Sequence, residues 1–376
     1  MKQMKQMKQK LPAALLAAAL IGSMAGCAAA REDRTVQGGA EGQASEDRNN
    51  DAGGGNGSEA LEDRNNDAGG GNGSEALEEI TVVLDWTPNT NHTGIYVAQE
   101  KGYFEEAGLK AEIVQPPEDG AEVLVASGKA QFGISFQDTM MPAVTGEDAL
   151  PIEAVAAVLQ HNTSGIVSRK GEGIDTPKGL EGKKYATWDL DIEKATLEQV
   201  VEKDGGDFSK VELIPSTVTD EVSALQSKSV DAIWIFYGWA GIATEAAGLE
   251  TDYFAFRDID PVFDYYTPVI IGNQDWLKEN PETAKAFLSS VKKGYEFAIE
   301  NVEEAADILC KAAPELDEEM VLASQEYMAG QYQAEADQWG YIDPKRWNAF
   351  YGWINEKGLS EAEIPENTGF TNEYLE

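Results

Sequence analysis

Apolar and polar residues from position 78 onward form two alternating patterns, short β-branched runs and longer segments with helical spacing. The first run, 80–84, predicts a buried strand. It ends abruptly in a polar and aromatic stretch, 85–92. In an open α/β sheet, ligands bind outside the carboxyl ends of the strands. This stretch therefore supplies the first candidate ligand-binding residues, Asp85, Trp86, Asn89, Asn91 and His92.

The remaining pattern predicts an α/β fold with mostly parallel sheets. Strands are predicted at 111–114, 132–136, 152–159, 166–168, 184–187, 211–214, 232–236 and 267–271. Helices are predicted at 94–101, 122–127, 192–203, 220–226, 281–300, 302–312, 318–331 and 344–357. The pattern predicts two lobes. The first comprises 78–164 and 268–376, and the second comprises 165–267. Crossings near 162–166 and 266–269 would join them around a cleft that closes by hinge motion.

The amino terminus has the pattern of an export signal. Four lysines precede an apolar run that is too short to span a membrane, and small residues lead to Cys27. Residues 1–26 resemble a bacterial lipoprotein signal peptide, although Met24 stands where such signals prefer Leu. The resemblance implies that Cys27 becomes the lipidated first residue of the mature chain and anchors it to the membrane. Ordinary secretion with cleavage near the alanine run 28–30 is the alternative.

A polar segment, 27–77, follows the signal. The sixteen residues 46–61 recur unchanged as 62–77. Each copy holds one Leu, so stacked copies could not bury an apolar face. The segment is predicted to be a flexible tether between the lipidated cysteine and the folded part.

Charge and cysteine content limit the possible partners. The chain has a formal net charge of −38, and residues 78–376 carry about −35 of it. This excludes nucleic acid and anionic lipid as partners and fits a soluble extracellular protein. Cys310 has no disulfide partner if Cys27 is acylated, and two histidines exclude a His-rich metal site. We expect no metal and no cofactor.

Polar and aromatic residues also cluster at the later strand ends. Flat apolar faces with amide and carboxyl groups at their rims suit a flat heteroaromatic ligand. Each residue also has a purely structural interpretation: a tryptophan can belong to the core, a histidine can serve as a hydrogen-bonding partner, and the helix dipole favours a glutamate at position 193. Common nucleotide-binding and hydrolase motifs do not occur, so an enzyme is not expected. The candidates are Gln115, Phe136, Gln137, His161, Trp188, Glu193, Trp234, Tyr237 and Trp239.

Several long stretches resemble the NMT1/THI5-like proteins, and more narrowly the solute-binding lipoproteins of ABC importers for a thiamin pyrimidine precursor. This resemblance covers nearly all of 79–376. It implies a type-II periplasmic-binding-protein fold, a monomer that binds a small aminopyrimidine, and ABC permease subunits as partners. The stretches are LDWTPNTNH (84–92), GYFEEAGL (102–109), VQPPEDGA (114–121), LVASGKAQFGISFQ (124–137), LQHNTSG (159–165), IWIFYGW (233–239), YYTPV (265–269) and TNEYL (371–375).

The resemblance also implies roles for individual residues. The stretch 85–92 matches the family's first ligand loop, Trp188 and Glu193 match a Trp and Glu pair of the second lobe, and 234–239 matches an aromatic strand end. One or two aromatic rings would stack on the pyrimidine. Glu193 or Asp85 would accept a hydrogen bond from its exocyclic amine, and Asn or Gln side chains would hold its formamide.

One departure bears on the ligand. Relatives commonly have Gly-Ser-Pro where this chain has Asp189, Leu190 and Asp191. Two added acids beside the site favour a more basic ligand or another pyrimidine. The alternatives are a receptor for another heteroaromatic, a nitrate or sulfonate receptor, and an enzyme similar to the eukaryotic pyrimidine synthases. An anion site would need Arg, Lys or bare helix amino termini, and the synthases carry a Cys-rich iron motif that this chain lacks.

Overall fold

A computed structural model describes residues 76–117, 120–146 and 149–376. The predicted signal peptide, Cys27 and the repeat tether lie outside the described residues, except for positions 76 and 77. Within the described part, no helix combines the length and apolar content that a membrane crossing requires.

The described chain has the predicted helices in the predicted order, together with five helices of four to six residues that were not predicted. The strands are β1 (Glu78–Val83), β2 (Leu109–Val114), β3 (Phe132–Ser135), β4 (Ile152–Ala157), β5 (Ser164–Arg169), β6 (Lys184–Thr187), β7 (Glu212–Pro215), β8 (Ala232–Phe236), β9 (Thr251–Ala255) and β10 (Val269–Asn273). The helices are α1 (Thr93–Glu100), α2 (Tyr103–Glu106), α3 (Gly120–Ala126), α4 (Gln137–Met140), α5 (Asp191–Lys203), α6 (Glu221–Gln226), α7 (Ile242–Ala246), α8 (Phe256–Ile259), α9 (Gln274–Glu279), α10 (Pro281–Glu300), α11 (Val302–Ala312), α12 (Glu318–Ala329) and α13 (Pro344–Lys357).

The strands form two separate five-stranded sheets. The first sheet has the order β2-β1-β3-β10-β4, and the second has the order β7-β6-β8-β5-β9. In the first sheet, β1 runs parallel to β2 and β3, whereas β10 runs antiparallel to both β3 and β4. In the second, β6 runs parallel to β7 and β8, and β5 is antiparallel to β8 and β9. Four of the five strands in each sheet point the same way, but four of the eight pairings are antiparallel, so both sheets are mixed and not mostly parallel.

Two features of the sheets differ from the sequence-based prediction. Strand β9 was not predicted, because its sequence TDYFA mixes polar and aromatic residues without a clear apolar run. The single antiparallel strand in each sheet was not predicted either. Strands β5 and β10 each follow a crossing between the sheets, and each inserts between two strands that run the other way.

The first sheet is covered on both faces, as its near-continuous apolar strands require. In β1, Ile80 and Val82 pack with α1 and α10 on one face, and Val83 packs against α3 on the other. Four residues on one face of α10 are fully buried against the sheet: Phe287, Val291, Tyr295 and Ala298. Helices α1 and α10 cross closely, because a Cβ at Gly294 would lie 1.9 Å from the carbonyl oxygen of Gly94. Only glycine permits that approach.

Two segments cross between the sheets. The first, 158–163, joins β4 to β5, and the second, 256–268, joins β9 to β10. The first begins a few residues earlier than predicted, because β4 ends at Ala157 and β5 already begins at Ser164. The second includes the short helix α8.

A partly buried ion-pair cluster connects the two crossings. His161, on the first crossing, directs Nδ1 at Asp264 on the second crossing and Nε2 at Glu335 in the segment after α12, each at 2.7 Å. Arg346 Nη2 lies 3.4 Å from the same Glu335 carboxylate. Because both ring nitrogens face carboxylate oxygens, both must donate, and the imidazole is protonated. The hydrogen bond to Asp264 is the main cause that raises the pKa of His161.

We expect His161→Gln to lower stability in a pH-dependent way. A histidine pKa that is raised by folding stabilises the protein below the unfolded pKa, about 6.5, and this contribution is lost as pH rises through the folded value. The free energy of unfolding should fall by about 1–3 kcal/mol at pH 6 and by less at pH 9, as measured by chemical denaturation of the full chain. Equal losses at both pH values would contradict a charged imidazole.

Candidate functional site: an aromatic cleft between the two sheets

The carboxyl ends of four strands meet at one cleft. Strands β1 and β3 of the first sheet and β6 and β8 of the second end there. The cleft holds two adjoining cavities of about 230 and 310 Å³, and four aromatic side chains line both of them: Phe136, Trp188, Trp234 and Phe236. The smaller cavity is completed by Asp138, Thr139, Leu190, Ile192, Glu193, Thr196 and Tyr265. The larger is completed by Asp85, Trp86, Asn89, Asn91, Val218, Glu221, Ile235, Trp239 and Ala240.

Aromatic rings from both sheets form the walls of the cleft. Phe136, after β3, stacks on Phe236, at the end of β8, with ring centroids 5.7 Å apart and planes 13° from parallel. Trp188 lies with its centroid 5.9 Å from that of the buried Trp234. Trp188 is 44% exposed and Trp86 is 52% exposed, which is unusual for side chains of this size. Their free faces are available to a planar ligand.

The loop after β1 holds Asp85 in a fixed position. The backbone N–H of Asn89 donates to His92 Nδ1 at 3.2 Å, so the buried His92 carries its proton on Nε2 and donates it to Asp85 Oδ1 at 2.6 Å. The hydroxyls of Tyr295 and Tyr332 hold this loop by donating to two of its carbonyl oxygens. Asp85 Oδ2 has no hydrogen-bond partner among the described residues and can accept one from a ligand.

Glu193 is buried and its carboxylate is already occupied by the protein. Oε1 accepts from the Tyr185 hydroxyl at 2.7 Å, and Oε2 accepts from the Thr187 hydroxyl at 2.9 Å. The backbone N–H of Trp188 donates to both oxygens, and that of Leu190 donates to Oε2. These four donor groups fill the capacity of a carboxylate. Glu193 therefore holds the loop that carries Trp188.

The three residues that depart from the relatives' pattern do not add charge to the cleft. Asp189 adopts φ +66°, a left-handed conformation that the relatives' glycine would adopt without strain. Its carboxylate is exposed and pairs with Lys194 at 2.5 Å. Asp191 is exposed at the start of α5, where the helix dipole favours it. Of the three residues only Leu190 lines a cavity, so the two acids lie beside the cleft without lining it.

Five of the predicted site residues lie outside both cavities. His92 lies behind Asp85, and His161 lies at the crossings. The side chain of Gln137 donates to the Trp347 carbonyl and accepts from the Tyr266 N–H. The remaining two are Gln115, which is exposed after β2, and Tyr237, which donates to Glu245 and packs on Tyr253.

Eleven residues that line the cavities were not among the predicted site residues, and four of these are acidic or aromatic: Asp138, Glu221, Phe236 and Tyr265. Asp138 accepts from the Thr139 N–H at 3.0 Å and from the Tyr265 hydroxyl at 3.2 Å. Burial is the main cause that raises the pKa of Asp138 and of Glu221. Asp138 follows β3 and Phe236 lies in β8, each close in sequence to predicted site residues. These positions could have been used to predict that both residues line the site. Tyr265 begins the stretch YYTPV, which resembles the family, whereas Glu221 had no signal of either kind.

The charged side chains that line the cleft are all acidic among the described residues. Asp85, Asp138, Glu193 and Glu221 line the two cavities, and no Lys or Arg does so among the described residues. The arrangement offers aromatic faces and hydrogen-bond acceptors. It therefore favours a planar ligand that carries N–H donors.

We expect Glu193→Gln to destabilise the protein even when no ligand is present. The amide nitrogen of Gln cannot accept the hydrogen bonds that one carboxylate oxygen now accepts, so the free energy of unfolding should fall by about 1–3 kcal/mol. Asp191→Asn, exposed in the first turn of the same helix, is the control and should change it by at most about 0.5 kcal/mol. Unchanged stability of Glu193→Gln in chemical denaturation would mean that the carboxylate is free for a ligand.

Comparison with solved structures identifies the fold. The chain is similar to the periplasmic aliphatic sulphonate binding protein SsuA from Escherichia coli, with a TM-score of 0.62 and 14% identity, over 80% of this chain and 99% of that chain. At this identity the likeness concerns the fold alone. The two sheets, the two crossings and the cleft between them are the type-II periplasmic-binding-protein fold.

Comparison of sequences identifies the family. The chain is 28% identical to the formylaminopyrimidine-binding protein of Halalkalibacterium halodurans, over 78% of this chain and 89% of that protein. It is 25% identical to the 4-amino-5-hydroxymethyl-2-methylpyrimidine phosphate synthase THI5 of Saccharomyces cerevisiae, over 79% and 88%. The family model described as NMT1/THI5 like matches residues 89–305, more than half of the chain. The chain therefore belongs to the NMT1/THI5-like family.

Proposed function

We propose that this protein is an extracytoplasmic solute-binding protein that delivers a thiamin pyrimidine precursor, N-formyl-4-amino-5-aminomethyl-2-methylpyrimidine, to ABC permease subunits. The observation that carries the proposal is the cleft itself, which combines exposed tryptophan faces with carboxylates and has no Lys or Arg among the described lining residues. The formylaminopyrimidine-binding relative supports the choice of ligand.

Each part of the proposed ligand has a matching group in the cleft. The planar ring lies against an aromatic face, Trp188 being the most exposed one that borders both cavities. The amino group donates to a carboxylate. The formamide pairs with an amide side chain of the first loop, Asn89 or Asn91, beside Asp85. Binding would bury the ring by drawing the two sheets together around the crossings.

Two other functions are weaker candidates. A nitrate or sulfonate ligand would place a negative charge beside Asp85, Asp138 and Glu221, and electrostatic repulsion disfavours this. A pyrimidine synthase activity is suggested only by the names of relatives such as the yeast protein. The sequence has two cysteines, Cys27 and Cys310, too few for the Cys-rich iron motif of those synthases.

The proposal includes the cellular location. Cys27 becomes the lipidated first residue after the signal peptide is removed, and 28–77 tether the monomeric binding unit to the outer face of the cell membrane. This arrangement keeps the cleft close to a permease in the same membrane.

Tryptophan fluorescence should report the ligand. Titrating the mature chain with the formylaminopyrimidine should give saturable quenching, whereas thiamin, riboflavin, nitrate and taurine should give none. Trp188→Ala should weaken binding roughly tenfold or more, because it removes a stacking face. Trp276→Phe, which packs on Phe132 away from the cleft, is the matched control and should bind normally. No response to the pyrimidine would overturn the ligand and leave the fold unaffected.

Metabolic labelling should report the anchor. Cells that express the full chain and are fed an alkyne fatty acid should label it, and Cys27→Ala should abolish the label. Cys310→Ala is the matched control and should retain it, since Cys310 lies in the folded part. An unlabelled wild-type chain would favour ordinary secretion.

A further inference from the structure

Two carboxylates line the smaller cavity, and they differ in their remaining hydrogen-bonding capacity. The Glu193 carboxylate accepts from four donor groups of the protein. The Asp138 carboxylate accepts from two, the Thr139 N–H at Oδ1 and the Tyr265 hydroxyl at Oδ2. A carboxylate has about four acceptor sites. Each oxygen of Asp138 therefore keeps one site for a ligand, whereas Glu193 keeps none.

We propose that Asp138 is the specificity-determining residue that pairs with the amino edge of the ligand and selects 4-aminopyrimidines over their 4-oxo counterparts. The amino edge is the exocyclic amine together with the adjacent ring nitrogen. This inference rests on the proposed function, and it assigns to Asp138 the role that sequence resemblance suggested for Glu193 or Asp85.

The position of Asp138 suits this role. Asp138 and Phe136 follow the same strand, β3, and both line the smaller cavity with Trp188 and Trp234. One strand end thus supplies both an aromatic face for the ring and an acceptor for its edge. Asp85 lines only the larger cavity, so it would contact the opposite end of the ligand.

The surroundings of Asp138 favour a ligand that brings a proton. Burial raises its pKa above the usual range, and the facing acids are Glu122 and Glu193. The other facing groups are the hydroxyls of Tyr265 and Tyr351, and burial raises the pKa of both well above the usual range. No Lys or Arg among the described residues lines this cavity. An ionised Asp138 therefore lacks a cationic partner until a ligand supplies one.

The two classes of pyrimidine differ at this edge. A 4-aminopyrimidine that is protonated on the adjacent ring nitrogen presents two N–H donors, and one carboxylate accepts both in a charge-assisted bidentate pair. A 4-oxopyrimidine presents a carbonyl oxygen beside one N–H, so its oxygen faces a carboxylate oxygen and is repelled. An amide at position 138 offers one donor and one acceptor, so it can pair with a 4-oxopyrimidine or with a neutral 4-aminopyrimidine, and it removes the selection for the amino compound.

The test is the affinity of the mature chain and of Asp138→Asn for the formylaminopyrimidine and its 4-oxo analogue, measured by calorimetry at pH 8. Asp138→Asn should strengthen binding of the oxo compound, because the carboxylate that repels its carbonyl oxygen is gone, and should reduce the preference for the amino compound roughly tenfold or more. Asp191→Asn changes an exposed acid that lines neither cavity and is the control. It should preserve the preference for the amino compound.

A second measurement needs no variant and guards against misfolding of Asp138→Asn. Binding of the amino compound to the wild-type chain should take up a proton at pH 8, seen as a dependence of the binding enthalpy on the buffer, and its affinity should fall from pH 6 to pH 9. Proton-neutral, pH-independent binding, or a wild-type preference that survives in Asp138→Asn, would overturn the role of Asp138 alone. Failure of the wild-type chain to bind either pyrimidine would instead overturn the proposed function.

Discussion

The cleft exists because four parallel strands, two in each sheet, end at the same place. Beyond such an end the chain leaves the sheet, and its backbone N–H and C=O groups need new partners. In this protein the same side chains that satisfy those groups build the site. Asn89 caps the turn that contains His92, and Glu193 accepts from the N–H groups of Trp188 and Leu190. Removing one such partner would disturb loop geometry and ligand binding together.

The sequence predicts much of this fold because the two sheets are made of apolar runs with clear boundaries. Strand β9 escaped prediction because its sequence lacks that pattern. The antiparallel direction of β5 and β10 escaped it for a different reason, since strand direction depends on where the chain re-enters a sheet after crossing. No local sequence pattern predicts where the chain re-enters the sheet.

The sequence predicted the types of residue that line the site better than it predicted their individual roles. Aromatic residues at strand ends, Trp188 and Trp234 among them, do line the cleft. Whether a carboxylate is available to a ligand depends on how many protein donors already reach it, and those donors come from distant positions. Glu193 and Asp138 look equivalent in the sequence, yet one is saturated and the other is not. The residues 189–191 show the same limit, because charge in a sequence does not reveal which way a side chain points.

The stacked pair of Phe136 and Phe236 sets a minimum opening for the cleft. One ring belongs to each sheet, and their centroids are 5.7 Å apart. A flat ligand held between two parallel faces needs about 7 Å, since carbon atoms on each side approach to about 3.5 Å. A pyrimidine can therefore lie beside this pair in the present arrangement, but it can pass between the two rings only if the sheets separate by more than 1 Å. The spacing of these two phenylalanines is thus a direct gauge of how far the cleft has opened.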